Sequence, residues 1–164
     1  MDMSMLQGYD PEEEAEIDED LKFEPSNELF DTPNGTASYN IETDFPVLKN
    51  VIDFCHEDTF ENIKVYKNND LFDKDQTTSW KTKGKTINGK NSQRMATGRA
   101  AIGIDNKPIN LHHIYQTQNG PIIELLQSFH QKNYSALHKN TGQSKSQIDR
   151  GTFASWRRRY WQNR

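Results

Sequence analysis

The sequence predicts an α+β domain that follows an acidic, partly disordered N-terminal region. Three observations support this prediction. Apolar segments suited to short strands flank Asn119-Gly120, a pair typical of hairpin turns. Near the C-terminus, aromatic residues recur at helical spacing. The acidic residues are concentrated in the first 63 positions, and the basic residues in the remainder.

Charge divides the chain into two unlike halves. Residues 1–63 hold 18 Asp and Glu against two lysines, a net charge of −16, whereas residues 64–164 hold six against 18 Lys and Arg, a net charge of +12. A strongly basic domain attracts polyanions, of which nucleic acid is the commonest. The change in the sign of the charge places the predicted domain boundary between residues 63 and 64. On one hypothesis the acidic half screens the basic surface, so that deleting residues 1–60 raises activity more at low salt than at high salt.

Composition argues against several protein classes. Apolar residues make up 32% of the chain, below the usual ~45–50% for globular proteins. Cys55 is the only cysteine, so neither an intramolecular disulfide nor a cluster of thiolate metal ligands is possible. No segment approaches the ~18 consecutive apolar residues of a membrane span. Residues 1–20 lack the basic start and apolar core of a Sec signal peptide.

The acidic half is predicted to be mostly flexible. Up to about residue 30 it has many acidic residues and almost no apolar periodicity. One short helix is predicted later, because Leu48, Val51 and Ile52 have the spacing of one helical face. Pro46 suits the first position of such a helix.

The basic half alternates short apolar segments with turn residues. We predict strands at residues 64–66, 100–104, 109–115 and 121–126 (the last alternatively an early helix), turns at 68–70, 105–108 and 117–120, and helices at about 128–138 and from about 149. Residues 74–98 are polar, with turn points at Gly84 and Gly89, and no element is assigned to them. In the last helix, Phe153, Trp156 and Tyr160 recur at i, i+3 and i+7, so we expect them in the core.

Histidines carry the main chemical signal. Four of the five lie within 27 positions: His112, His113, His130 and His138. Imidazole binds metal ions and also acts as a base near neutral pH. Phosphodiester hydrolysis uses both properties, because water must be activated and charge on the phosphate must be stabilised.

Spacing limits how these histidines can cooperate. His130 and His138 are eight residues apart, which on an unbroken helix means ~12 Å of rise and ~80° of rotation. Either the helix ends between them or only one binds a metal. Adjacent residues on a strand point to opposite faces. His112 and His113 therefore require a strand end, a bulge or two separate roles.

Two further groups keep alternative interpretations. Arg157, Arg158 and Arg159 form either a solvated helix face or a phosphate contact. Glu124 is a candidate catalytic residue that orients a histidine or accepts a hydrogen bond behind the site; equally, it is an ordinary surface carboxylate.

Several motifs in the basic half together resemble a known family. They are Arg94-Met95-Ala96-Thr97-Gly98-Arg99, Ile109-Asn110-Leu111-His112-His113-Ile114, Gly120-Pro121-Ile122-Ile123-Glu124, His130 and Leu137-His138. This ordered set resembles the LHH nucleases of the HNH/endonuclease VII superfamily, over roughly residues 64–164. Ile148-Asp149-Arg150 and the ending Trp156 to Trp161 are similar to C-terminal toxin domains of bacterial polymorphic toxins.

The resemblance implies a ββα-metal fold with one divalent ion between hairpin and helix. It assigns the general base to His113, metal ligands to His112 and His130, and a second downstream histidine to His138. It assigns phosphate binding to Arg94 and Arg99. The metal could be Mg, Mn, Zn or Ni, and the polymer DNA or RNA. The central asparagine of many superfamily members has no match.

The resemblance also implies a biological setting. Such a toxin is secreted by a dedicated system, acts in the cytoplasm of a target cell, and is neutralised by an immunity protein. The alternatives are a non-catalytic nucleic-acid-binding module, a degenerate toxin fold acting through protein interaction, and metal-free RNA cleavage by paired histidines.

Overall fold

A four-stranded mixed sheet forms the centre of the computed structural model, which describes residues 40–138 and 148–164. Its strands are β1 (His56–Phe60), β2 (Ile63–Lys67), β5 (Asn110–His113) and β6 (Ile122–Leu125), in the order β1-β2-β6-β5. The β1–β2 and β5–β6 pairs are antiparallel, and β2 lies parallel to β6. A separate two-stranded hairpin joins β3 (Thr77–Thr82) to β4 (Lys85–Lys90).

Short helices surround the sheet in the described part of the chain. They are α1 (Ile41–Asp44), α2 (Lys49–Ile52), α3 (Asn91–Ala96), α4 (Gln127–Lys132), α5 (Tyr134–Leu137) and the longer α6 (Arg150–Asn163), with 3₁₀ turns at Pro46–Leu48 and Asn69–Leu71. Asp149 caps α6 by accepting a hydrogen bond from the backbone N–H of Thr152 at 2.7 Å. No helix in these two ranges is long and apolar enough to cross a membrane.

The sheet separates two hydrophobic clusters, because successive strand residues point to opposite faces. Leu111 and Ile122 pack on one face beneath α6, whose side chains in this cluster are Phe153, Trp156, Tyr160 and Trp161. Ile123 packs on the other face, in a cluster with Phe45, Leu48, Tyr115 and Leu137. The α+β class is thereby confirmed, as is the core position of the three aromatic residues predicted on the last helix.

Residues before position 63 contribute to the same packed structure as those after it. Strand β1 pairs along its whole length with β2. Phe45 and Leu48 are 1% and 0% exposed. The short helix predicted after Pro46 is present as a 3₁₀ turn followed by α2. The flexible tail predicted up to residue 30 lies outside the described residues.

In the middle of the chain, a region without an assigned element contains three elements, and one predicted strand is wrong. Residues 74–98, left without an element, form the β3–β4 hairpin and α3; Lys83 and Gly84 have φ of 50° and 75°, the left-handed conformation of a two-residue type I′ turn. Residues 100–104 were predicted to form a strand. They form one isolated β-bridge instead, between Ile102 and Pro108. The side chain of Asn91 binds both the N–H and the carbonyl of Ile102, so those groups do not pair with a strand.

Candidate metal centre

Three buried histidines converge on the face of the sheet opposite α6. His112 lies on β5, His130 on α4, and His138 directly after α5. One nitrogen from each ring lies within 4.8 Å of the other two. The ring centroids are 5.0 to 5.2 Å apart. Each side chain is at most 2% exposed.

A helix break brings His138 to the cluster. Helix α4 ends at Lys132, and Asn133 has non-helical backbone angles of −108° and 23° before α5 begins. The side chain of Asn133 donates a hydrogen bond of 3.0 Å to the carbonyl of Phe129, which satisfies an acceptor at the end of α4. The single helix predicted over residues 128–138 is therefore wrong, and the first of the two alternatives holds: the helix ends between His130 and His138.

The ring of His138 is held in a defined orientation. Its Nδ1 lies 2.9 Å from the carbonyl oxygen of Tyr134, and its ring stacks on that of Tyr134 at 4.0 Å. A carbonyl oxygen only accepts, so Nδ1 must carry the proton. The other nitrogen, Nε2, then has the lone pair that a metal ion needs. Nothing in the sequence singled out Tyr134, because its carbonyl and its stacking depend on the helix break.

The cluster has the chemistry of a metal site. Two nitrogens bound at ~2.1 Å to one ion can be at most ~4.2 Å apart, so small side-chain rotations would suffice. Imidazole suits Zn, Ni, Cu and Fe, whereas Mg and Mn favour carboxylate and water oxygens. Among the described residues no fourth His, Cys, Asp or Glu joins the group. Three protein ligands leave a coordination position for water or substrate, as catalytic sites require.

His113 lies on the other face of β5, as its position next to His112 predicts. Its ring is 2% exposed and meets Phe153 of α6 edge-on at 4.5 Å. It lines a cavity of about 190 Å³ between the β1–β2 turn, the loop before β6, and α6. The polar residues that line it with His113 are Glu61, Gln118, Asn119, Thr152 and Arg159.

A comparison with protein families identifies this region. Residues 90–164 match the family LHH, described as a nuclease of the HNH/ENDO VII superfamily with conserved LHH. The matched segment contains Leu111-His112-His113, α4, α5 and α6.

We call residues 90–164 the LHH domain, after the nuclease family that they match.

No solved structure matches the chain significantly. The resemblance found in the sequence is thus confirmed at the level of the family, and with it a nuclease function. In the LHH domain, β5, β6 and α4 form the expected β-hairpin and helix, with the three histidines between β5 and the helical segment.

In the LHH domain, Arg159 of α6 lines the same cavity as His113. Its guanidinium donates two hydrogen bonds to the carboxylate of Glu61, at 2.8 and 2.9 Å. Both side chains are about half exposed. The hydrogen bond from Arg159 lowers the pKa of Glu61, so the pair stays charged at neutral pH.

The phosphate-binding role expected of Arg94 and Arg99 requires correction. Both are buried, at 1% and 4% exposure. Arg94 donates to the carbonyls of Ala100 and Ser79 at 2.7 and 3.1 Å. Arg99 donates to the carbonyl of Lys81 at 3.1 Å. Buried guanidinium groups need such acceptors. These two arginines therefore connect separate segments of the chain through hydrogen bonds to backbone carbonyls.

Of the three consecutive arginines on α6, only Arg159 is exposed. Arg157 is 4% exposed. Arg158 packs its aliphatic stem over Gly98, so closely that an added Cβ there would overlap its Cγ. The alternatives left open for this group therefore divide by position, with a solvated or phosphate-binding role available to Arg159.

Glu124 does not orient a histidine, which corrects its expected catalytic role. It is 1% exposed and accepts hydrogen bonds from the N–H of Asn68, the hydroxyl of Tyr160 and the guanidinium of Arg164, at 2.8 to 3.1 Å. Burial, and then Glu124, raise the pKa of Tyr160, which keeps its hydroxyl protonated as a donor. Glu124 ties β6 to α6.

Proposed function

We propose that the LHH domain is a metal-dependent endonuclease that hydrolyses phosphodiester bonds of DNA or RNA, with His112, His130 and His138 holding one divalent ion. The observation that carries this proposal is the convergence of three buried imidazoles from separate elements. When bound, the ion supplies positive charge that stabilises the phosphate and the leaving oxygen. The all-nitrogen donor set favours a transition metal over Mg²⁺.

His113 is the general base in this proposal. It accepts the proton of the attacking water, and its edge-on contact with Phe153 holds the ring in place at the cavity. Arg159 lines the same cavity and binds a phosphate next to the cleaved bond. The carboxylate of Glu61 now occupies the guanidinium fork that a phosphate would use, so the substrate displaces it.

Loss of a metal ligand tests the proposal most directly. We expect wild-type protein to bind one Zn²⁺ or Ni²⁺ per chain by calorimetry, and His130→Ala to weaken this by more than the ~10–100-fold that loss of an outer-shell partner costs. Cleavage of plasmid DNA or total RNA should fall in parallel and stop with a chelator. His56→Ala, which removes an exposed histidine on β1, is the matched control and should change neither property.

Two results would contradict this assignment. Cleavage that persists in chelator would favour metal-free RNA cleavage by paired histidines. Salt-sensitive binding of nucleic acid, with no cleavage under any metal, would favour a non-catalytic binding module or a degenerate toxin fold.

We further propose that the protein is an antibacterial toxin effector with a dedicated immunity protein. Support comes from the similarity of Ile148-Asp149-Arg150 and of residues 156–161 to toxin C-terminal domains. Secretion by a dedicated system and activity in the target-cell cytoplasm belong to the same proposal. Induced expression should arrest growth of a bacterial host, and His113→Ala should abolish the arrest at equal protein level.

Deletion of residues 1–60 does not test charge screening alone. Removing residues 1–60 would also remove β1, Phe45 and Leu48, which are part of the packed structure. Deleting residues 1–39 removes 12 acidic residues and one lysine but leaves β1, Phe45 and Leu48 in the chain. We expect this shorter deletion to raise cleavage at low salt more than at high salt, because screening weakens charge interactions. Equal rates for both proteins at every salt concentration would refute it.

A further inference from the structure

The tip of the β3–β4 hairpin concentrates positive charge. Lys81, Lys83 and Lys85 fall within five positions, around the type I′ turn at Lys83-Gly84. All three are exposed. The surrounding residues 76–104 contain four lysines, two arginines and no acidic residue. We name residues 81–85 the basic tip.

The lysines of the basic tip are available to bind a partner. Within residues 40–138 and 148–164, none of the three makes an ion pair with an acidic side chain. Lys90, at the other end of β4, differs because it lies 3.5 Å from Asp75. A lysine without a carboxylate partner has no ion pair to break when it binds a phosphate.

Strand β3 of the hairpin is fixed to the rest of the protein by two buried arginine side chains. Arg94 and Arg99 bind the carbonyls of Ser79 and Lys81. Asn91, 0% exposed, donates to the carbonyls of Asp73 and Ile102. A surface fixed before binding loses less conformational entropy on association. The two arginines expected to bind phosphate thus hold the strand from which Lys81 projects.

We propose that the basic tip is a binding arm for the phosphate backbone of the nucleic-acid substrate. Lysine ammonium groups on an exposed turn contact phosphates without reading bases, so the arm increases affinity for any sequence. The arm lies N-terminal to the matched LHH segment, which starts at residue 90. This inference rests on the proposed function in that the bound polymer is the one cut at His113.

Salt dependence provides the test, because each phosphate contact releases counterions. We compare wild-type protein with the triple variant Lys81→Gln, Lys83→Gln, Lys85→Gln, using a short labelled DNA duplex and an RNA of the same sequence. Chelator in the buffer prevents metal-dependent cutting during the titration. The control carries Lys49→Gln, Lys64→Gln and Lys107→Gln, three exposed lysines outside the tip with the same change in net charge.

The expected result is a loss of affinity confined to the tip variant. The slope of log K against log salt for duplex DNA should fall by about 0.9 for each lysine that contacts a phosphate, equivalent to roughly eightfold weaker binding per contact at ~0.1 M salt. The control should lose much less. Equal loss in both triple variants, or no loss in either, would overturn the proposal and leave the lysines as charges that keep a strand edge from pairing.

Failure of this inference can be told apart from failure of the proposed function. If wild-type protein cuts nucleic acid with metal but the tip variant binds as tightly as wild type, the binding arm is refuted and the nuclease assignment stands. If wild-type protein never cuts, yet binding depends on the tip, the nuclease assignment is refuted and the arm stands.

Discussion

Replacing His113 with alanine is expected to slow nucleic-acid cleavage by about 10²–10⁴-fold, the usual contribution of a general base. Binding of the metal ion should remain unchanged, because His113 lies against Phe153 on the face of the sheet opposite the three-histidine cluster. Single-turnover cleavage and calorimetric metal titration of the same preparation measure the two properties separately.

The two measurements together distinguish a general base from a metal ligand. His113→Ala should lose cleavage and keep metal, whereas His130→Ala should lose both. His56→Ala should keep both. If His113→Ala also lost the metal, His113 would belong to the metal centre and another group would have to be the base. Cleavage at the wild-type rate would remove His113 from the chemistry altogether.

Glu124→Ala is expected to destabilise the fold by about 3–5 kcal/mol, the cost of breaking a buried ion pair by removing one partner. The substitution leaves the guanidinium of Arg164 with its charge almost buried, since that side chain is 6% exposed. It also leaves the hydroxyl of Tyr160 and the N–H of Asn68 without their acceptor. Urea unfolding followed by tryptophan fluorescence measures the change in the free energy of unfolding.

The chain supplies a matched control for Glu124. Glu61 also makes a two-bond contact with an arginine, but its pair with Arg159 is about half exposed. Glu61→Ala should therefore leave the unfolding midpoint nearly unchanged, because solvent screens such pairs. Cleavage per folded molecule should be retained in Glu124→Ala. A stable Glu124→Ala protein that has lost cleavage would restore the catalytic role that the structure argues against.

The sequence predicted the local chemistry of the site well. Strands around Asn119-Gly120 and an amphipathic last helix both follow from short-range pattern. The opposite placement of His112 and His113 follows from strand periodicity alone. These features depend on residues close to one another in the chain, so the sequence contains their causes.

Signals in the sequence were weaker for elements held by distant contacts. The β3–β4 hairpin has a single buried aromatic side chain, Trp80, so its strands lack a clear apolar alternation. It is fixed instead by Arg94 and Arg99, at 15 and 18 residues from their acceptors. These distant acceptors also explain why the two arginines were expected to be exposed. A basic residue in a basic segment looks exposed until its acceptors are known.

By itself the sequence determined that residues 90–164 resemble an LHH nuclease, which histidines are available, and where the charge lies. Only the tertiary structure decided which of those residues lie together and which are buried. It collected three histidines from separate elements into one cluster and set His113 in another cavity. It turned Glu124 inward onto Arg164 and left the lysines of the hairpin, rather than two predicted arginines, facing solvent. The physical reason is that burial and pairing are set by what a fold brings together, at distances of up to 98 residues along this chain.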